Sequence, residues 1–437
     1  MNRDKISERT TSKFIQKEMK VMLQARKRTK IASILEQFRG LKYITGIKKN
    51  GKQMIVGSVL DSCGQERTDR QEIVDVFADF YADLYACRTA DTSFCLPELE
   101  QEVVAISTTE VKDQLKSMSN KKSPDSNGVV AELLKQGSDK LIENIATLFS
   151  DILNPAAVVP EYWKQTRLKV LFKKGDAKSV DNYRPICIVP ILYKVFTKVV
   201  LSRVKGTLLQ EQSVDQAGFR AGFSCDDHLF VVTLMSEMFH ELHLPLWLVA
   251  VDFRKAFDTV SHTGLWLALL QQGVPSTYIR VLIKIYSGQS GKVQGDRLSK
   301  PFDIQRGVRQ GDPISPLLFN AVLEKIMREV AQSWHTKRWG VKPRGRRRLL
   351  NLRFADDLLL VGASLHQAKS MLRDLIAKAR EYGLEVHETK TKILWNGIGR
   401  GTPAQHAEMD GRTLRFSQHM VRSCIWDACS ACVTPMG

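Results

Sequence analysis

Apolar residues recur at helical spacing in several segments of the chain. Residues 69–87 carry them at positions 73, 74, 76, 77, 80, 81, 84 and 85, which predicts one amphipathic helix. The same spacing over 108–160 predicts helices interrupted by a loop at 121–128. It also predicts a helical arm over residues 1–38 and a helix over 188–210.

Shorter apolar runs predict β strands. Residues 43–60 contain two short runs around Asn50-Gly51, which is a strong β-hairpin signal. Residues 166–172 (TRLKVLF) predict a strand that precedes Lys173. The continuous run LWLVAV, residues 246–251, is typical of a buried strand, and a helix is expected over 256–272.

Carboxylates stand where these strands end. Asp252 follows the run LWLVAV directly, and residues 349–362 (LLNLRFADDLLLVG) predict two strands joined at Ala355-Asp356-Asp357. Burying unpaired acids is costly, and divalent cations would remove that cost. Mg²⁺ prefers a few carboxylate oxygens, with waters and substrate phosphates completing its shell.

An Asp-Asp pair by itself carries no weight. A chain of this length contains roughly one or two such pairs by chance. This chain has two, Asp226-Asp227 and Asp356-Asp357. The information lies in the ordered set of motifs around the second pair.

Composition and charge narrow the function class. The 437 residues include 43% hydrophobic and 26% charged residues, which is ordinary globular composition. Lys and Arg number 65 against 47 Asp and Glu, and the net charge of +18 favours a polyanionic partner, nucleic acid before membrane. No apolar run reaches the roughly 18 residues that span a bilayer. The eight cysteines are scattered, which predicts no disulfide framework and a reducing, intracellular setting.

Two segments concentrate the positive charge. Residues 1–50 hold 14 Lys and Arg against 4 Asp and Glu, and Lys337 to Arg348 (KRWGVKPRGRRR) contains no acid. Each is either a solvated surface or a site for a phosphate backbone, where Trp339 would also suit a stacked base.

Seven motifs occur in a recognisable order between residues 43 and 395. They are KKSPDSNG, LFKKGDAKSVDNYRPI, QAGFRAGFSCDDH, AVDFRKAFDTVSH, RGVRQGDPISPLLFNAVLE, RFADDLLLVG and GLEVHETKTKIL. In this order the chain resembles the reverse transcriptases of non-LTR retrotransposons, the long-interspersed-element type. The last four motifs resemble palm motifs A, B, C and D of that family.

The resemblance implies a catalytic centre. Asp252 and Asp356 would be the shared ligands of two Mg²⁺ ions, or Mn²⁺, with Asp357 as the third carboxylate. Phe257, five positions after Asp252, stands where the family excludes the 2′-hydroxyl of a ribonucleotide. The alternative for Phe257 is a helix residue packed in the core.

The resemblance also implies nucleotide-binding residues. Gln310 and Gly311 would lie along the template and the incoming base, and glycine permits a close approach of the backbone. Arg184 and Lys173 would grip the triphosphate, although Lys174 competes with Lys173 for that role. Lys390 is a candidate proton donor to pyrophosphate or a solvated surface lysine.

The implied fold class is α+β, a right-hand polymerase with fingers and palm and a truncated or missing thumb. The expected divisions are a basic helical arm (1–42), an N-terminal extension with a hairpin and a helix (43–107), fingers and palm (108–395) and a truncated thumb or unrelated tail (396–437).

Some positions depart from the family pattern. Asp125 to Gly128 replaces the usual Gly-Pro-Asp-Gly, Phe223 stands where a basic residue is usual, and His387 stands where Asn is common. The primer-gripping thumb signature is absent, and Cys424, Cys429 and Cys432 are interpreted as free thiols because a fourth zinc ligand is missing.

The function implied is RNA-directed DNA polymerisation, a two-metal nucleotidyl transfer from a dNTP to a primer 3′-hydroxyl on an RNA template. The alternatives are a non-catalytic nucleic-acid-binding remnant of such an element and a group II intron-type reverse transcriptase. The expected partners are an RNA template, a DNA primer and dNTPs, with no membrane. Endonuclease activity is expected from a missing part of the element or from another protein. The expected location is intracellular, in the nucleus or in a cytoplasmic ribonucleoprotein.

Overall fold

The computed structural model describes residues 56–87, 94–97, 104–125, 127–343, 347–398, 406–409 and 412–417. The predicted arm, the hairpin turn at Asn50-Gly51 and the three C-terminal cysteines lie outside the described residues. Within the described part of the chain, no helix combines the length and apolar content needed to cross a bilayer.

The helices begin where polar side chains cap them. Asp69 accepts hydrogen bonds from the backbone N–H groups of Gln71 and Glu72, and Ser107 and Ser224 each form a capping box. In chain order the described helices are α1 (Arg70–Tyr85), α2 (Thr108–Ser117), α3 (Ala131–Lys135), α4 (Asp139–Leu153), α5 (Ile191–Glu211), α6 (Cys225–Glu241), α7 (Ala256–Thr259), α8 (His262–Gln271), α9 (Ser276–Tyr286), α10 (Ser315–Thr336) and α11 (Leu365–Glu381).

The strands form three sheets among the described residues. They are β1 (Val59–Leu60), β2 (Glu66–Arg67), β3 (Gln165–Phe172), β4 (Tyr183–Ile188), β5 (Trp247–Val251), β6 (Gln289–Val293), β7 (Phe302–Ile304), β8 (Asn351–Phe354), β9 (Asp357–Gly362), β10 (Lys392–Trp395), β11 (His406–Met409) and β12 (Arg412–Ser417). Strands β1 and β2 pair with each other, four strands follow the order β4-β3-β6-β7, and six follow the order β11-β12-β10-β5-β9-β8.

Strand β5 of the six-stranded sheet is covered on both faces. Val249 and Val251 of β5 belong to the main hydrophobic core, whereas Leu248 joins a second cluster with Val232 and Met235 of α6. Alternate side chains of a strand point to opposite faces, so the fully apolar run LWLVAV fits a strand covered by helices on both sides. Strand β5 lies between β9 and β10 and is antiparallel to both.

Helix α1 packs on the four-stranded sheet through aromatic rings. Tyr85 stacks on Phe302 of β7 with ring centroids 6.3 Å apart, and Tyr81 stacks on the same ring at 6.4 Å. Both tyrosines are buried. Helix α1 is therefore part of the main core.

The structure confirms several predicted elements and corrects others. Helix α1, strands β3 and β5, and the β8–β9 hairpin form where the sequence predicts them. The single helix expected over 256–272 is wrong, because Ser261 accepts a hydrogen bond from the backbone N–H of Gly264 and begins a new helix, α8. Strand β4 was not predicted.

Candidate active site

The β8–β9 hairpin places two carboxylates at one edge of the six-stranded sheet. Phe354 pairs with Asp357, so that Ala355 and Asp356 form a two-residue turn. Ala355 has φ of 57° and supplies the left-handed conformation that such a turn needs. Asp356 therefore lies at the tip of the hairpin.

Strand β5 brings the third carboxylate to the same edge. Val251 pairs with Leu358 in the antiparallel register of β5 and β9. Asp252 is the next residue along the chain, and this register carries it to the level of Asp357. The three carboxylates predicted from the sequence thus share one sheet edge.

These acids lie in each other's electrostatic field. Burial and then the charge of Asp252 raise the pKa of the Asp356 carboxyl. Burial raises the pKa of Asp357 to about 7, with further increases from the charges of Asp356 and Asp252. Negative charge is therefore crowded at this edge.

Three predicted cations face the acids. The charges of Arg184 on β4 and of Lys173 after β3 oppose the rise in the pKa values of Asp356 and Asp357. The Lys390 Nζ atom lies 3.5 Å from Asp252 Oδ2. Burial and then Arg184 lower the pKa of Lys173.

The donor set fits a divalent cation in its chemistry. Carboxylate oxygens are the ligands that Mg²⁺ prefers, and the crowded negative charge at the hairpin is what a cation would neutralise. Among the described residues, no three His, Cys, Asp or Glu side chains converge into a ready-made metal cluster. Asp252, Asp356 and Asp357 are nevertheless the residues that would hold a metal here.

Phe257 packs against two other phenylalanine rings. It is half-buried on α7, and its ring stacks on Phe319 with centroids 4.6 Å apart. Phe219 meets it edge-on at 6.4 Å. The Phe257 ring is therefore held in place by Phe219 and Phe319.

Gln310 and Gly311 lie in the loop between β7 and α10. Hydrogen bonds tie this loop to β4 and α7. The backbone carbonyl of Gln310 accepts a hydrogen bond of 2.7 Å from the Cys187 N–H on β4. The side-chain Nε2 of Gln310 donates to both carboxylate oxygens of Asp258, at 2.9 and 2.8 Å. Gly311 has φ of 107°, a conformation that favours glycine.

Two functional features were missed by sequence reasoning. Asp258 is fully buried beside Phe257, and the sequence around it, which also contains Arg254 and Lys255, gave no clear signal of this burial. Gln216 is also buried and holds the backbone of Ala355 from both sides, since Oε1 accepts from Ala355 N at 3.0 Å and Nε2 donates to Ala355 O at 3.3 Å. The motif around Gln216 was recognised, but its role as a support for the hairpin was not.

We expect Gly218→Ala to destabilise the protein by about 2 kcal/mol through overpacking against this hairpin. A Cβ at Gly218 would lie 2.2 Å from Ala355 N and 2.9 Å from Ala355 Cα. Denaturant unfolding measures the change. The control is Gly206→Ala in α5, whose Cβ meets nothing within 4 Å and should stabilise the helix by up to about 1 kcal/mol. Equal stability of Gly218→Ala and the parent would contradict this packing.

The departures from the family pattern have local partners. The Phe223 ring packs against the Arg220 guanidinium at 4.2 Å, and the His387 backbone N–H donates to the Asp252 carbonyl at 2.7 Å. In the basic run, Arg347 pairs with Asp215, and Arg348 donates to the carbonyls of Trp339 and Gly340.

Comparison with known proteins identifies similar chains. The model of the family "Reverse transcriptase (RNA-dependent DNA polymerase)" matches residues 172–414, more than half of the chain. The Pol polyprotein from the type-2 retrotransposable element R2DM of Drosophila melanogaster is 26% identical over 308 residues, covering 70% of this chain and 28% of that protein. The Pol polyprotein from a type-1 retrotransposable element R2 of Popillia japonica is 31% identical over 211 residues, covering 46% of this chain and 28% of that protein.

The chain spans about a quarter of the length of the curated relatives it matches. Among solved structures, apo telomerase from Candida tropicalis truncated from its C-terminal domain aligns with a TM-score of 0.41 and 13% identity, covering 59% of this chain and 54% of that chain.

Proposed function

The chain belongs to the reverse transcriptase family, and from that premise we propose that it is the RNA-directed DNA polymerase of a non-LTR retrotransposon. The observation that carries the proposal is the single sheet edge shared by Asp252, Asp356 and Asp357 and faced by Arg184 and Lys173. The named relatives are retrotransposable elements, which favours this type over a group II intron enzyme.

The acids would hold the metal ions and the cations would hold the nucleotide. Two divalent cations, Mg²⁺ or Mn²⁺, bound by Asp252 and Asp356 with Asp357 beside them, supply Lewis acidity for attack by the primer 3′-hydroxyl and for release of pyrophosphate. Arg184 offers a bidentate fork to the triphosphate, and Lys173 offers a point charge. Both approach the acids from the four-stranded sheet.

The remaining predicted residues would protonate the leaving pyrophosphate and contact the template and the incoming base. Lys390, which lies beside Asp252, would give a proton to the pyrophosphate as it leaves. Gln310 and Gly311 would line the template and the incoming base. Hydrogen bonds tie their loop to β4 and α7. Nucleotide contacts with β4 of the four-stranded sheet and with α7, which follows β5 of the six-stranded sheet, would therefore be coupled.

The proposed partners are an RNA template, a DNA primer and dNTPs. A net charge of +18 suits this polyanion. The proposal also places the chain in a ribonucleoprotein of the nucleus or cytoplasm, with fingers, palm and N-terminal extension as divided above. Endonuclease activity would come from another part of the element protein or from another protein.

Primer extension by the purified protein tests the proposal. We expect dNTP incorporation on an RNA template annealed to a DNA primer, dependent on a divalent cation and removed by a chelator. The competing proposal is a non-catalytic remnant. Such a remnant would bind the RNA–DNA hybrid in a salt-dependent manner and extend nothing at any metal concentration.

We expect Phe257→Val to admit ribonucleotides. Shortening the ring should open the space at C2′, so that kcat/KM for a ribonucleotide rises about tenfold or more relative to that for its deoxynucleotide twin. The ratio is measured on one preparation, so it does not depend on the fraction of protein that is folded.

Phe257→Tyr is the matched control, because it keeps the flat ring and should preserve the exclusion. Loss of the Phe257–Phe319 stacking should also lower stability, and this cost affects both nucleotides alike. An unchanged ratio in Phe257→Val would assign Phe257 to the core alone.

A further inference from the structure

Asp258 is a fully buried carboxylate that the reaction described above does not use. It lies on α7, next to Phe257, with 2% of its surface exposed. Tyr85 donates its hydroxyl to Asp258 Oδ1 at 2.9 Å. Together with the Gln310 Nε2 bonds, these contacts give both carboxylate oxygens partners from two distant segments.

These contacts determine the orientation of the Gln310 amide. An ionised carboxylate only accepts hydrogen bonds, so the amide nitrogen of Gln310 must face Asp258. Its oxygen Oε1 is then turned to the opposite side, as the atom left for a ligand. Gln310 is half-buried, so this side chain spans the interior and the surface.

The end of helix α1 is joined to the same loop by hydrogen bonds that its backbone carbonyls accept. The Gln305 N–H donates to the Tyr85 carbonyl at 3.1 Å, and the Arg306 Nε atom donates to the Leu84 carbonyl at 2.8 Å. Gly307 contacts α7 so closely that a Cβ would lie 2.5 Å from the Asp258 carbonyl oxygen. Helix α1, α7 and the Gln310 loop therefore form one rigid unit.

We propose that Asp258 and Tyr85 are positioning residues for the incoming nucleotide, which hold Gln310 with its amide oxygen directed towards the nucleotide as a hydrogen-bond acceptor. Helix α1 lies before the family-matched residues 172–414, and in this arrangement it belongs to the nucleotide site. The inference rests on the proposed function in one respect, the placement of Gln310 beside the nucleotide.

The arrangement has a pH dependence of defined sign. Burial raises the pKa of Asp258 to about 6, and the hydrogen bond from Tyr85 opposes this rise. Below about pH 6 the carboxyl gains a proton, becomes a donor and no longer fixes the amide nitrogen. The titratable and charged groups that face Asp258 are Tyr81 and Tyr85 on α1, Lys255 before α7, and Arg184 and Cys187 on β4.

Steady-state kinetics test the positioning role. In Tyr85→Phe we expect KM for the dNTP to rise about three- to tenfold, as for a lost hydrogen bond to a charged group, while kcat stays within about twofold. The increase of KM at acid pH should begin at a higher pH than in the parent, because a bond that lowers the Asp258 pKa is gone. In Asp258→Asn the KM should be high at all pH values, with this acid limb removed.

Tyr81→Phe is the matched control, one turn earlier on the same helix. The Tyr81 hydroxyl is buried without a hydrogen-bond partner among the described residues, so its removal should leave KM and the pH profile unchanged. Parent-like KM values in both Tyr85→Phe and Asp258→Asn, in a protein that extends primers, would overturn the inference and leave the polymerase assignment intact.

A second measurement does not depend on activity. The side-chain amide signals of Gln310 in the 437-residue chain, assigned by their loss in Gln310→Glu, should shift with pH around a midpoint near 6. The shift should be absent in Asp258→Asn. Gln310 signals that do not respond to pH in the parent would overturn the proposed contact even if the protein proves inactive in primer extension.

Discussion

Asp356→Asn should abolish nucleotide addition while leaving the fold intact. The substitution keeps the size of the side chain and removes one of the charges that would bind the metal ions at the hairpin tip. A loss of several kcal/mol of transition-state stabilisation corresponds to roughly a thousandfold or more in rate. Primer extension under single-turnover conditions measures it, and Asp252→Asn should behave in the same way.

The other Asp-Asp pair, Asp226-Asp227, provides the control. Asp226 is exposed in the first turn of α6 and is not among the predicted site residues, so Asp226→Asn should extend primers at the parent rate. Full activity in both Asp252→Asn and Asp356→Asn would refute the polymerase assignment.

Removing the charge of Asp357 should raise the stability of the protein while it lowers the activity. Burial and neighbouring charges raise the pKa of Asp357 to about 7, so the folded state binds protons more tightly than the unfolded chain. Stability from this group is therefore present at acid pH and is lost as the pH rises through about 7. Removing the charge in Asp357→Asn should raise the thermal midpoint at pH 8 while activity falls. Such a trade-off identifies charge that is retained for function.

The carboxylates could be located from the sequence because each follows a short apolar strand. Asp252 comes directly after β5, and Asp356 lies in the turn of a hairpin, so period and strand length were enough to place them at strand ends. Placing Asp252 beside the hairpin acids then required only the assumption that the buried strands β5 and β9 are neighbours in one sheet.

Local chemistry explains the elements that the pattern missed. Strand β4 contains Pro185, which argues against a central strand, but β4 is the edge of its sheet, where proline is tolerated. Apolar residues lie on both sides of Ser261, at Val260 and Leu265, yet the Ser261 hydroxyl caps a new helix there. The spacing of hydrophobic residues alone does not indicate such a break between two helices.

The supporting contacts could not be predicted, because they join distant segments. Tyr85 and Asp258 are separated by 173 residues, and Gln216 and Ala355 by 139. Neither pair has a local signal, since each depends on how whole elements pack against each other. Sequence motifs identify the reacting groups more readily than the side chains that hold them in place.

Glu324→Leu should be among the most destabilising single substitutions in the supporting structure. Glu324 on α10 and Arg353 on β8 form an ion pair at 2.9 Å, with 3% and 2% of their side chains exposed. The partners are unequal. Glu324 also pairs with Arg328 at 3.0 Å. In contrast, the Nε and Nη1 atoms of Arg353 are buried with no hydrogen-bond partner among the described residues.

Because of this inequality, removing the acid leaves Arg353 as an unpaired buried cation at the base of the catalytic hairpin, at a cost of about 3–5 kcal/mol. Arg353→Met should cost less, since Glu324 keeps Arg328, and adding it to Glu324→Leu should recover part of the loss. Denaturant unfolding of the two single variants and the double variant measures the coupling. Glu329→Gln on the same helix is the control, because Glu329 is 29% exposed and its pairs with Lys325 and Lys378 should each contribute at most about 1 kcal/mol. Gln also keeps an acceptor for the Tyr382 hydroxyl. If Glu324→Leu costs no more than Glu329→Gln, then Arg353 finds compensation elsewhere, and the hairpin does not depend on this ion pair.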